Sequence, residues 1–237
     1  MMKWFKRSLL SVAVLTLTGG GVVMPAEAGP VIIANPFGTF QVETKSLSEI
    51  GWEGVVRQQY DFSCGSAAVA TLMTYHYNRP RTEAEVFEEM IETGNREQIE
   101  TFGFSMLDMK RYLDSQGLSS DGFEISLDDF IRIGVPAITL INTGGYKHFV
   151  VVKGVDNQNV LVGDPAAGTV VVPRETFETL WNNTVLGVRN EVQMAKSNFN
   201  NDRDWRVRPA SPLEEGIQRS GVGSYLLSLP GRNELGR

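Results

Sequence analysis

The stretch Arg57–Tyr77, "RQQYDFSCGSAAVATLMTYHY", contains Cys64, the only cysteine among 237 residues. Turn-forming "YDFS" precedes the thiol, Gly65 follows it, and Ala67, Ala68, Leu72 and Tyr75 then recur at helical spacing. The pattern predicts a helix from Cys64 to Tyr77 with the thiol at its head. A thiol reacts as the thiolate, whose ordinary pKa of about 8.5 falls beside a helix N-terminus or an imidazolium. One cysteine cannot form an internal disulfide, so Cys64 is either a small buried hydrophobe or a nucleophile.

A nucleophilic thiol needs a histidine, and the chain has two. His76 lies twelve residues beyond Cys64 in the same predicted helix. At about 100° per residue it points roughly 120° away, more than three turns along, so it is expected to pack or to face solvent. His148 opens the run "HFVVVKGV" just after the turn "TGGYK". A catalytic histidine also requires an orienting acceptor. Asp164 ends the next run, "NVLVGDP"; a hairpin turning at "DNQN" would make it an approximate cross-strand neighbour of His148. Asp164 also begins the turn "DPAAG", a role compatible with the first. A carbonyl under attack further needs a donor for its oxyanion. Gln58 and Gln59 both lie just upstream of Cys64, and their spacing does not choose between them.

The N-terminus speaks to compartment. Lys3, Lys6 and Arg7 precede the apolar "SLLSVAVLTLT", and Ala26 and Ala28 give an A-x-A pattern. Residues 1–28 therefore read as a secretory signal peptide, which implies export, in a Gram-negative cell to the periplasm. The apolar run is shorter than the roughly 20 residues that a spanning helix needs. Contact with the membrane is thus expected only through the signal peptide. The formal charge of −6, with no basic cluster, argues against nucleic acid or anionic lipid as a partner.

Residues 29–54 read as an extended lead-in with one strand. Helix signals follow, with Thr82/Glu85 and Ser105/Asp108 as capping patterns and a short helix at "SLDDFIRI" ending at Gly134. After Pro136 the period becomes that of strands: "AITLIN", "HFVVVKGV", "NVLVGD" and "TVVV". "RETFETLW" reads as a helix and "VLGVRN" as a last strand. Helices first and an antiparallel sheet afterwards predict an α+β domain over residues 55–190. Residues 191–237 read as a polar tail.

Gln58, then Cys64-Gly65, a distant His148 followed by "FVVV", and Asp164-Pro sixteen residues later together resemble the bacteriocin-processing double-glycine cysteine peptidases. The resemblance implies a papain-like fold, cleavage of a peptide or leader after Gly-Gly, and no cofactor or metal. It implies Cys64 as nucleophile, His148 as base, Asp164 as orienter and Gln58, rather than Gln59, as oxyanion donor. Typical members are domains of ABC exporters, whereas this chain carries no transmembrane bundle and no Walker motif. In "QQYDFSCG", "GFSMLDMKRYL" and "GYKHFVVV" it is most similar to stand-alone exported members serving functional-amyloid (Fap) secretion. Amyloid subunits and an outer-membrane pore are then the implied partners. Two other readings fit the residues: a substrate-docking module without chemistry, and a transglutaminase-like acyl transferase, which shares the order Cys, His, Asp.

Overall fold

The computed structural model describes residues 29–35, 38–60 and 62–207. The signal peptide expected at 1–28 and the tail from 208 onward lie outside the described residues.

The lead-in holds more structure than one strand. β1 (Val31–Asn35) and β2 (Gly38–Val42) pair antiparallel, and α1 (Leu47–Trp52) follows. The overlooked signal is Ser46 with Glu49, which closes a capping box at the head of α1.

The predicted first helix divides in two. α2 (Cys64–Thr71) is regular, and Leu72–His76 then continue as a π-turn. A π-turn inserts one residue into the helical phase. Tyr75, expected on the buried face, is therefore 41% exposed, while His76 and Tyr77 turn inward. His76 is thus a packing residue. All eight residues of α2 are buried, a situation that its Ala, Gly and Ser content permits by letting neighbours approach from every side. Gly65 shows the need most directly. A Cβ there would stand 3.0 Å from Cβ of Phe104.

Two other helices begin where the capping patterns place them, α3 (Glu83–Thr93) at Thr82 and α5 (Met106–Ser115) at Ser105; α6 (Leu127–Ile133) forms within "SLDDFIRI", and its capping box at Ser126 was not foreseen. Between α3 and α5 lies an unexpected helix, α4 (Arg96–Phe102), capped by the Asn95 side chain and stopped at Gly103 with φ +76°.

The strands are β3 (Ser120–Glu124), β4 (Ala137–Thr143), β5 (Tyr146–Val155), β6 (Asn159–Asp164), β7 (Gly168–Pro173) and β8 (Trp181–Val188), with α7 (Arg174–Leu180) between the last two. They form a six-stranded antiparallel sheet in the order β3-β8-β4-β5-β6-β7. β3, "SDGFE", carries little intrinsic strand preference and forms as the partner of β8, Ser120 opposite Val188. Gly144 and Gly145, at φ +63° and +96°, make the two-residue β4–β5 turn, a conformation that favours glycine.

The sheet is covered on both faces. One side, with Ile138, Phe149, Val151 and Leu186, packs against α2 and, behind it, α3 and α5. The other, with Val150, Val152, Val160 and Val162, packs against Phe130 of α6, and Phe177 and Trp181. The expected tail also begins as structure. α8 (Val192–Ser197) and α9 (Asp202–Trp205) lie on the domain, and Phe199 stacks on Phe130 with the ring planes 4° apart.

Leu72, fully buried behind α2, tests this packing. Leu72→Ala should lower the free energy of unfolding by about 2–5 kcal/mol. Phe102→Ala, at a side chain 85% exposed, should change it by no more than about 0.5 kcal/mol. Urea titration followed by circular dichroism reads both.

Candidate active site

Ser63 is the N-cap of α2, but its side chain makes no capping bond to the helix. Its hydroxyl donates instead to the carbonyl of Tyr60 at 3.0 Å and accepts from the Tyr60 amide at 3.2 Å. It thereby closes the turn before the nucleophile and leaves the first α2 amides without a side-chain acceptor. Those amides carry the positive end of the helix dipole to the place where Cys64 stands. Cys64 is 8% exposed and lines a cleft of about 760 Å³. Phe62, Phe104, Leu140, Tyr146 and Phe149 share that lining, so the sulfur faces a largely aromatic cleft.

The sheet brings His148 and Asp164 together. Nε2 of His148 lies 2.8 Å from Oδ1 of Asp164. Their pairing depends on an irregularity of β5. Val155 opposes Val160 and Gly154 opposes Leu161, yet Val152 opposes Val162 and Val151 opposes Gly163. Lys153 is therefore an extra residue, a β-bulge. Had the first register continued, Asp164 would oppose Val151, and His148 would point to the other face of the sheet. The bulge shifts the register by one and reverses that alternation. Asp164 then stands across from Val150 and shares a face with His148, two residues farther along.

Asp164 also starts its turn. The same Oδ1 accepts the amides of Ala166 at 2.7 Å and Ala167 at 3.3 Å. Burial acts to raise the Asp164 pKa, but the His148 bond and these two amides outweigh it and hold the carboxyl below its usual range. Burial likewise acts to lower the pKa of His148. The bonds and charges of Asp164 and Cys64 prevail and lift it to about 9. With Nε2 engaged by Asp164, Nδ1 is the nitrogen left for the sulfur. It is buried and closes no well-formed hydrogen bond at rest. Such links often tighten only when substrate is bound. Tyr146 stacks on the imidazole with centroids 5.9 Å apart. Sequence reading missed this ring, although Tyr146 precedes His148 by two and so shares its face.

The two glutamines separate. The Gln58 amide donates to the carbonyl of Pro165, the residue after Asp164, at 3.0 Å. Its side chain is half-buried, with Nε2 donating to the Tyr60 carbonyl at 3.1 Å and Oε1 buried without a partner. Gln59 is exposed and lines a different cavity, between Glu83, Phe87 and Arg96. The structure thus ties Gln58, and not Gln59, to the Asp164 turn.

The other histidine provides an internal contrast. His76 is buried with neither ring nitrogen hydrogen-bonded, and burial together with the Lys153 charge pushes its pKa down to about 3. No group of three or more His, Cys, Asp or Glu able to hold a metal ion exists among the described residues.

Two histidines so differently placed give a clean titration. Imidazole NMR should show one signal titrating near pH 9 and one neutral down to about pH 3. Asp164→Asn should move the first midpoint down and leave the second in place. Because folding raises the His148 pKa above its ordinary 6.5, the stability it contributes is complete below about pH 6.5. That contribution is lost as pH rises toward 9. Asp164, held low, contributes above its ordinary 3.8 and loses that contribution as acid protonates it.

Comparison with known proteins gives this site a context. The sequence profile described as "Peptidase C39 family" matches residues 52–193. A "Probable functional amyloid protease FapD" of Pseudomonas fluorescens is 37% identical over 169 residues, 70% of this chain and 75% of that protein. Its Pseudomonas aeruginosa namesake is 36% identical over 181 residues, 76% and 77% of the two chains. Among solved structures, the peptidase domain of Streptococcus ComA, a bifunctional ABC transporter of a quorum-sensing pathway, aligns at a TM-score of 0.48. The identity is 22%, covering 57% of this chain and 98% of that domain. An α+β architecture with helices before the sheet is what the sequence predicted. On the profile match and on both relatives, the chain belongs to the peptidase C39 family of cysteine peptidases.

Proposed function

We propose that this protein is an exported cysteine peptidase that cuts a peptide or leader after a small residue, Gly-Gly, in service of the secretion or assembly of functional amyloid. The observation that carries the reading is the meeting of Cys64, at a helix head lining a cleft, with the His148–Asp164 pair from two strands.

In this mechanism the Cys64 sulfur, as thiolate beside the His148 imidazolium, attacks the carbonyl carbon of the scissile bond. The oxyanion is stabilised by the uncapped first amides of α2 and by Gln58 Nε2, which exchanges its Tyr60 acceptor for the substrate oxygen. His148 then gives its proton to the leaving amine and afterwards takes one from the water that hydrolyses the acyl-enzyme. Asp164 holds the ring by Nε2 and stabilises its charged form.

The approach to the sulfur, hemmed by Phe104, Leu140 and Tyr146, favours residues without bulky side chains on either side of the bond. The 36–37% identity to two proteins named as functional amyloid proteases supports amyloid subunits as partners; their outer-membrane pore is the further partner in this reading. The charged, apolar and A-x-A regions of residues 1–28 support removal of a signal peptide and action in the periplasm.

Cys64→Ala should abolish cleavage of an amyloid-system protein bearing Gly-Gly while leaving the circular dichroism spectrum unchanged. Cys64 should also alkylate rapidly at pH 6 in a manner lost in His148→Ala. Cleavage retained by Cys64→Ala, measured by mass spectrometry of the products, would reject the reading.

A further inference from the structure

The bulge that places His148 and Asp164 on one face is itself held from outside the family-matched region, which ends at residue 193. β4 pairs with β5 only as far as Ala137 opposite Val152. Beyond that point Asn200 takes the place of the missing strand partner. Its backbone N–H donates to the carbonyl of Lys153 at 3.0 Å, and its Nδ2 donates to the carbonyl of Val155 at 2.9 Å. The residue between them must be glycine, since a Cβ on Gly154 would lie 2.1 Å from Asn200 Oδ1.

The extra residue is secured by its side chain as well. Lys153 is fully buried; its Nζ pairs with Asp204 Oδ2 at 2.9 Å and donates to Thr169 Oγ1 at 3.3 Å. Asp204 lies on α9, and that helix is fastened in turn by Arg203 and Arg206, each 3.2 Å from Glu53. A buried ammonium without a counter-charge is strongly disfavoured. The inward orientation of Lys153, and with it the bulge, therefore depends on the segment that supplies Asp204.

We propose that residues 198–206 are a strap that sets the active-site register, with Asn200 and Asp204 as positioning residues that act on His148 and Asp164 through the β5 bulge. The inference rests on the peptidase reading, which assigns that pair its work, but its direct test needs no substrate.

Asn200 sits at φ +54°, so Asn200→Gly removes the carboxamide without straining the backbone and keeps the amide bond to Lys153. Asn200→Asp is the second variant: it keeps the oxygen and loses the donor to Val155. Met90→Ala, a core truncation among the helices, serves as a destabilised control. Each variant is followed by histidine NMR titration, thermal unfolding, and kcat and KM on the cleaved substrate.

The strap account expects the His148 midpoint to fall by at least one pH unit in both Asn200 variants. It expects kcat to drop at least tenfold with KM little changed. Met90→Ala should lower the melting temperature without shifting His148. Asn200 variants that melt earlier yet keep the wild-type His148 midpoint and kcat would overturn the proposal, since the strap would then serve stability alone. Variants that do not fold, while Met90→Ala does, would likewise assign the strap to folding and overturn it. Failure of the peptidase reading would show differently, in wild-type protein whose Cys64→Ala form still cleaves.

Discussion

Every residue of α2 is buried, and a helix in that position must meet neighbours on all sides at once. Only small side chains permit this. Ala67, Ala68 and Ala70 admit the sheet on one side and the helical layer on the other, while Gly65 yields to Phe104. The helix is thereby fixed in direction, and its N-terminus can end in only one place. The cleft, the approach to the sulfur and the electrostatics of the site all follow from that confinement. A longer side chain in α2 would part the two layers and carry the thiol away from the imidazole.

The second half of the site obeys a different logic. A strand offers only two directions to a side chain, so His148 either faces Asp164 or faces away. No gradual adjustment connects these outcomes. The choice is made five residues from the imidazole, at Lys153. The buried lysine also accounts for part of the low pKa of His76, because its charge lies near that ring. One residue thus bears on the protonation of both histidines, upward for one through register and downward for the other through proximity.

Much of this was legible in the sequence because it is written in local chemistry. The Ser105–Asp108 and Thr82–Glu85 boxes mark helix starts through bonds between near neighbours, and "TGGY" marks its turn through the φ that glycine allows. The order of Cys64, His148 and Asp164 and their approximate meeting were likewise readable. The bulge was missed: Gly154 inside "VVVKGV" is a general sign of one, but the partner that bonds it, Asn200, lies forty-seven positions beyond Lys153. The same holds for β3, whose Asp and Gly argue against a strand until β8 supplies an edge. The π-turn belongs with these: nothing in "LMTYH" marks it, and the His76 carbonyl it presents accepts from Asn198, far along the chain. What was missed are the consequences of distant partners.

The bulge finally bears on how such a chain tolerates change over generations. Substitutions along β5 alter one side chain at a time, and most can be absorbed by neighbours. Loss or gain of a single codon between Val152 and Val155 is another matter, because it would exchange the two faces of everything that precedes it on the strand. Length in this short interval is thus under stricter control than composition.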